Sequence, residues 1–180
     1  MKDFMYLEIK ILKNKHVLDA DTSTCYYTKV IIRKGLNMDT KFSVALHILS
    51  MISESSTILS SQTLAESVGT NASYIRKVIA LLKKAEIISS QQGKSGYELT
   101  KSPKDLSLLE IYFATQEVDH ISLFPVHQNR NLNCPVGRYI EGAISPIFSD
   151  IEEELERELK NKTLKDVIDN LYQQAKESKC

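Results

Sequence analysis

Few side chains in this sequence are of a type and spacing that could do chemistry. Cys25, Cys134 and Cys180 are scattered without a CxxC pair, so neither a disulfide framework nor a cysteine-rich zinc site is predicted. Cys134 directly precedes Pro135, at the start of a predicted helix, where the helix dipole favours thiolate and therefore oxidation chemistry. Cys134 is thus a candidate redox or electrophile sensor, and the alternative is a structural cysteine.

The sequence does not predict a metal site or an active site. His120, His127 and Cys134 stand seven residues apart, but ligand sets are not built by such regular spacing in a loop, and no carboxylate cluster accompanies them. There is also no nucleophile–base pair and no pair of carboxylates in a plausible cleft. We therefore expect a protein that is not an enzyme and has no metal and no cofactor.

Charge is divided unevenly along the 180 residues, although the net charge is zero. Residues 71–104 are basic, carrying Arg76, Lys77, Lys83, Lys84, Lys94, Lys101 and Lys104 against Glu86 and Glu98. Residues 141–158 are acidic, carrying Glu141, Asp150, Glu152, Glu153, Glu154, Glu156 and Glu158 against Arg157. This division predicts a middle region that meets DNA and an acidic arm that faces solvent; the alternative is two ordinary solvated surfaces.

The spacing of apolar residues predicts the helices that would position the basic region. A first helix is predicted from Asp39 to about Ser53, a short second helix capped by Ser60 or Ser61, and a third from Asn71 to about Ala85. Gly69 and Thr70 separate the last two, which is the helix-turn-helix pattern. In the third helix Ile75, Val78, Ile79 and Leu82 form an apolar stripe, and the opposite polar face fits a DNA major groove, although an ordinary solvated helix would look similar.

A β-hairpin is predicted after the third helix. Residues 87–90 and 97–100 resemble strands, and the loop between them has glycines at Gly93 and Gly96. A phosphate-binding loop is the alternative, but such a loop leads into a helix and this one leads into a strand. We interpret the hairpin as the wing of a winged helix, with Lys94 at its tip.

Several stretches together resemble a known family. They are LAESVG at 64–69, SYIRKVIALLKKAEII at 73–88, GKSGY at 93–97, SPKDLSLLEI at 102–111, NCPVG at 133–137 and TLKD at 163–166. They are similar to the bacterial Rrf-type winged helix-turn-helix regulators, the family of IscR, NsrR and CymR, and in particular to its YwnA-like branch. The likeness covers about Met38 to Tyr172.

The resemblance implies a homodimer that reads a two-fold operator. The DNA contacts expected from it and from the basic face are Ser61, Asn71, Ser73, Tyr74, Arg76, Lys77, Lys94 and Ser95. Arg76 stands where some members have an acidic residue, so we expect a different operator, with a guanine contact. Members with an iron–sulfur cluster have three closely spaced cysteines before the long helix, and with Cys134 alone no cluster is expected here.

The C-terminal part predicts a dimerisation arm. A long helix is expected from Pro135, and its apolar stripe predicts the dimer seam at Ile140, Ile144, Ile147, Ile151 and Leu155. A short amphipathic helix from Leu164 to Leu171 is expected to pack on the partner. A further helix is expected after Pro103, with Asp105 near its first turn, and its expected role is packing.

The predicted fold is mainly α with a small β-hairpin: a winged helix-turn-helix domain at 38–118, a loop at 119–133, and a dimerisation helix with a C-terminal helix at 134–180. Residues 1–37 do not join the helical pattern, and our hypothesis is that Met38 is the native start and that they are a start-site artefact or a disordered tail.

Neither a membrane span nor a signal peptide is predicted, which favours the cytoplasm. The expected function is that of a homodimeric transcriptional repressor. It binds double-stranded DNA sequence-specifically at a near-palindromic operator, and it responds to thiol chemistry at Cys134. The inducing signal and the target genes are not encoded in these patterns. The alternative is a winged-helix module that binds proteins and has no specific DNA binding.

Overall fold

The computed structural model describes residues 40–90 and 96–178. The chain divides into two units, Met1–Met38 and Asp39–Cys180, and all described residues belong to the second. The predicted N-terminal extension, residues 1–37, lies outside the described residues. The described part contains six α-helices and one antiparallel hairpin, in the order α1 Lys41–Glu54, α2 Ser61–Val68, α3 Ala72–Lys84, β1 Ile88–Ser89, β2 Glu98–Leu99, α4 Leu108–Gln116, α5 Pro135–Asn161 and α6 Leu164–Glu177. This confirms the predicted fold class.

One apolar core holds α1, α2 and α3 together. Ile48 and Leu49 of α1, Leu64 of α2, and Ile75 and Leu82 of α3 are completely buried in it. Burying a side chain of this size contributes about 1.5–3 kcal/mol to folding. The core therefore fixes which side of α3 points inward and which side points to solvent.

The helix-turn-helix is closed by local capping. The Ser60 hydroxyl accepts a hydrogen bond from the amide of Thr63 at 3.1 Å, so Ser60 rather than Ser61 caps α2. Gly69 ends α2 with φ of 73°, a left-handed conformation that favours glycine. The Asn71 side chain then caps α3 by accepting from the amide of Tyr74 at 2.8 Å.

The hairpin is shorter than the sequence predicts. Ile88 pairs with Leu99 and Ser89 with Glu98, so each strand has two residues. Ile88 is buried against the core, and this contact anchors the base of the wing beside the C-terminal end of α3.

The fourth helix begins later than expected. Pro103–Asp105 is a separate 3-10 turn, followed by Leu106 in an extended conformation with its side chain buried. Ser107 then caps α4, accepting from the amide of Glu110 while the Glu110 carboxylate accepts from the amide of Ser107, at 3.2 and 3.0 Å. Asp105 is therefore not in the first turn of α4, because burial of Leu106 breaks the helix between them.

The C-terminal helix packs on its own chain, and the expectation that it also packs on a partner stays a prediction. Leu164 and Ile168 are buried in the same core as α1. A short bridge fixes the start of α6: the amide of Leu108 donates to the carbonyl of Lys162 at 2.8 Å, and the amide of Leu164 donates to that of Leu106 at 2.9 Å.

The long helix α5 has 27 residues and spans about 40 Å. It continues through Pro146 and buries none of its residues within this chain. No helix in residues 40–90 or 96–178 is both long and apolar enough to cross a bilayer.

Candidate nucleic-acid interface

The outward face of α3 is polar and basic. Ser73, Arg76 and Lys77 are exposed, whereas the neighbouring Ile75 and Val78 are fully buried. Within the described ranges the side chains of Arg76 and Lys77 make no hydrogen bond or ion pair. Two positively charged side chains therefore point to solvent without a counter-charge in the described ranges. The buried apolar side of α3 holds the helix in one orientation.

Of the other predicted contact residues, Asn71 and Tyr74 have hydrogen-bond partners within the chain. The Asn71 oxygen is used in capping α3, which leaves its amide nitrogen for an outside ligand. The Tyr74 hydroxyl lies 3.2 Å from the hydroxyl of Thr40, so this half-buried ring ties α3 to the start of α1. Ser61 is the half-buried first residue of α2. Lys94 and Ser95 lie outside the described residues.

The two lysines at the end of α3 are engaged within the chain. Lys83 donates to the Ser90 hydroxyl at 2.7 Å, and Lys84 forms a 3.0 Å ion pair with Glu117. Sequence reasoning grouped both with the other basic residues of α3. The partners stand 7 and 33 residues further along the chain, beyond the spacing of neighbours on one helix face. Both contacts are exposed and therefore weak, so they do not prevent these lysines from approaching a phosphate.

The predicted seam of α5 is apolar and uncovered within this chain. Ile147 and Ile151 are 57% and 48% exposed, and Ile140, Ile144 and Leu155 are half-buried. Val136 and Tyr139, which sequence reasoning did not include, extend this surface and are 68% and 67% exposed. Val136 and Tyr139 stand four residues before Ile140 and Ala143, so the helical period could have identified them from the sequence.

Cys134 is exposed and is the residue that precedes α5, as predicted. Its side chain makes no capping hydrogen bond. The turn in front of the helix is instead closed by Asn131, whose carbonyl accepts from the Cys134 amide at 3.2 Å and whose side chain accepts from the Asn133 amide at 2.9 Å.

The comparisons with known proteins agree with this architecture. The Rrf2 family model, described as "Iron-dependent Transcriptional regulator", matches residues 38–170. The chain is 44% identical over 135 residues to the "Putative HTH-type transcriptional regulator YwnA" of Bacillus subtilis (strain 168), covering 75% of this chain and 99% of that protein.

Solved structures show the same fold. A crystal structure described as "a putative DNA binding protein" is 41% identical, with a TM-score of 0.58, and the match covers 71% of this chain and 98% of that one. CymR, the global cysteine regulator of B. subtilis, matches with a TM-score of 0.57 at 19% identity, covering 75% of this chain and 98% of CymR. At that identity the likeness to CymR concerns the fold alone.

The described residues do not fit the iron dependence in the family description. Within residues 40–90 and 96–178, no group of three or more His, Cys, Asp or Glu side chains is placed to hold a metal ion. Cys134 is the only cysteine in those ranges, whereas an iron–sulfur cluster requires several thiolate or imidazole ligands.

Proposed function

The chain belongs to the Rrf2 family of transcriptional regulators, and from this membership we propose that it is a homodimeric, cytoplasmic repressor that binds a near-palindromic operator through α3 and the wing. The observation that carries the proposal is the outward face of α3. Among the residues that the structure describes, Arg76 and Lys77 make no hydrogen bond or ion pair and are exposed, on the second helix of a helix-turn-helix. Cations in that position suit the major groove and its phosphates.

The uncovered stripe on α5 supports the dimer. Exposed isoleucines on a helix of this length are stabilised when a second apolar helix covers them. A two-fold pair would place two copies of α3 about one DNA turn apart, roughly 34–36 Å. The operator would then be near-palindromic.

A thiol response through Cys134 is the sensing mechanism that we propose. Its support is positional: the exposed thiol immediately precedes the helix that carries the seam. A modified Cys134 would therefore lie close to the dimer arm. Cys134→Ser should leave operator binding intact and abolish its loss on oxidation, measured by mobility shift with and without peroxide; an unchanged response to oxidant would exclude Cys134 as the sensor.

The direct test of the proposed function is DNA binding. Duplex DNA from upstream of the protein's own gene should be retained more tightly than unrelated duplex, and the affinity should fall steeply with salt. The triple variant Arg76→Ala, Lys77→Ala, Lys94→Ala should remove this binding while circular dichroism and dimerisation stay unchanged. If duplex affinity survives in a well-folded triple variant, the winged helix is a protein-binding module instead.

A further inference from the structure

Residues 119–133 form an ordered strap that lies along α5. Successive strap residues contact successively earlier turns of the helix, in the pairs Ile121 with Glu156, Phe124 with Phe148, Arg130 with Glu141, and Asn131 with Gly137. The strap therefore runs antiparallel to α5 until the chain turns at Cys134 and enters the helix.

Two carboxylates of α5 hold the strap by its backbone. Glu156 accepts a hydrogen bond from the amide of Ile121 at 2.7 Å. Glu152, one turn earlier, accepts from the amides of Leu123 and Phe124 at 2.5 and 3.1 Å. Charged acceptors make hydrogen bonds roughly twice as strong as neutral ones. The expectation that the acidic arm faces solvent was therefore wrong for these two residues, because both face the strap.

Apolar contacts reinforce the same attachment. Ile121, whose amide donates to Glu156, is buried, with 3% of the residue's surface exposed. The rings of Phe124 and Phe148 pack with their centroids 5.0 Å apart. The strap thus makes polar and apolar contacts with one side of α5, beside the stripe that carries Ile147 and Ile151.

The other end of the strap meets the DNA-binding region. It begins directly after α4, whose C-cap residue Glu117 forms an ion pair with Lys84, the last residue of α3. The helix that presents Arg76 is therefore connected to the arm by a short segment that Glu152 and Glu156 fasten.

We propose that Glu152 and Glu156 are positioning residues for DNA binding: by fastening the strap to α5, they fix the orientation of α3 relative to the dimer arm. This inference rests on the proposed function, since it concerns how two copies of α3 are spaced on a two-fold operator. Fixed spacing strengthens binding to a complete operator, because the second half-site is bound intramolecularly once the first is occupied. It does not change the affinity of one α3 for one half-site.

The test uses the full-length dimer and three double variants. Glu152→Ala/Glu156→Ala removes both acceptors. Asp150→Ala/Glu153→Ala removes the same charge from exposed positions of α5 and is the matched control. Glu152→Gln/Glu156→Gln keeps a carbonyl acceptor at each position. The measurements are hydrogen exchange of the strap amides and dissociation constants for two duplexes, one with the complete operator and one with a single half-site.

In the alanine variant, the strap amides should exchange about tenfold faster. Its affinity for the complete operator should fall about tenfold, with half-site affinity unchanged. The glutamine variant, which keeps weaker neutral acceptors, should lie between wild type and the alanine variant, and the charge-matched control should behave like wild type.

The proposal is overturned if the strap amides keep their wild-type exchange rates, or if they exchange faster while the ratio of operator to half-site affinity stays the same. A fall in both affinities would indicate general destabilisation and would also overturn it. Failure of the wild-type protein to bind either duplex would refute the proposed function instead, and the exchange rates would still report whether the carboxylates hold the strap.

Discussion

Arg76 and Lys77 are neighbours in sequence, but they are separated by about 100° around α3. Both are exposed, while the next residue, Val78, is completely buried. Two cations at this angle point in different directions from the helix and suit different groups of a duplex. Arg76 suits a base edge, because its planar guanidinium can bind guanine with two hydrogen bonds. Lys77 suits a phosphate.

Single substitutions should separate these two roles. Arg76→Ala should reduce discrimination between the operator and its mutated half-site by about 1–3 kcal/mol. Lys77→Ala should weaken operator and unrelated DNA alike and reduce the slope of log affinity against log salt by about 1. Binding isotherms at several salt concentrations measure both effects. Equal effects of the two variants on operator and unrelated DNA would contradict a base-reading role for Arg76.

The elements of this fold depend on their ends. α4 is stabilised by the reciprocal hydrogen bonds of Ser107 and Glu110, and Lys101 forms a 2.7 Å ion pair with the same carboxylate. Partial burial raises the pKa of Glu110, but the hydrogen bonds from Lys101 and Ser107 outweigh it, and the net effect is a pKa below the usual 4.5. The folded state therefore favours ionised Glu110.

The stability contributed by Glu110 should depend on pH. Because its folded pKa is lowered, the contribution is present above the unfolded pKa and disappears as pH falls through the folded one. Glu110→Gln should therefore be less stable than wild type at neutral pH, and the gap should close as the pH falls through the lowered folded pKa of Glu110. The gap will be small, because the Glu110 side chain is 42% exposed. Urea unfolding across this range measures it, with Glu153→Gln as the exposed control; a gap that widens on acidification would contradict the prediction.

Two glycines of α5 provide a matched test of the strap. A Cβ at position 137 would lie 2.3 Å from the carbonyl oxygen of Asn131, whereas a Cβ at position 142 would meet nothing within 4 Å. Gly142→Ala should raise the free energy of unfolding by about 0.5–1 kcal/mol, because alanine favours a helix. Gly137→Ala should lower it by about 1–3 kcal/mol, because the turn of the strap must move. Chemical denaturation of both variants measures the difference, and similar stabilisation by both would contradict this close packing.

Residues 40–90 and 96–178 are organised around an arm that leaves the winged domain and returns to it. α5 carries the uncovered stripe, and α6 brings Leu164 and Ile168 back into the core. Both ends of the arm are therefore attached to the DNA-binding domain of the same chain. A change at the proposed dimer seam would therefore have two routes to α3, through the strap at one end and through α6 at the other.

Charge placed in the seam should dissociate the dimer. In Ile147→Glu/Ile151→Glu, two carboxylates would have to be buried against an apolar partner, which costs several kcal/mol. The variant should be a folded monomer at micromolar concentration by light scattering, with weakened binding to the complete operator. Leu171→Glu places a carboxylate on the exposed side of α6 and is the control. A double variant that remains dimeric would place the interface elsewhere.

The sequence by itself determined the helices, the hairpin and the outward face of α3. These features depend on local rules: the apolar period assigns Ile75 and Val78 to the core, Asn71 and Gly69 delimit helices, and Gly93 and Gly96 punctuate a hairpin. The capping box of α4 also follows a local rule, because Ser107 and Glu110 stand three residues apart. It could have been predicted from the sequence.

Only the tertiary structure decided which charges remain available and where the C-terminal segments lie. Composition makes Glu152 and Glu153 equivalent, yet one accepts backbone amides of the strap and the other is exposed. Similarly, Lys84 is paired with a residue 33 positions away, and α6 packs on its own chain. The physical reason is that such contacts depend on how elements distant in sequence come together. The residues next to a carboxylate in the sequence do not identify the amide that will donate to it.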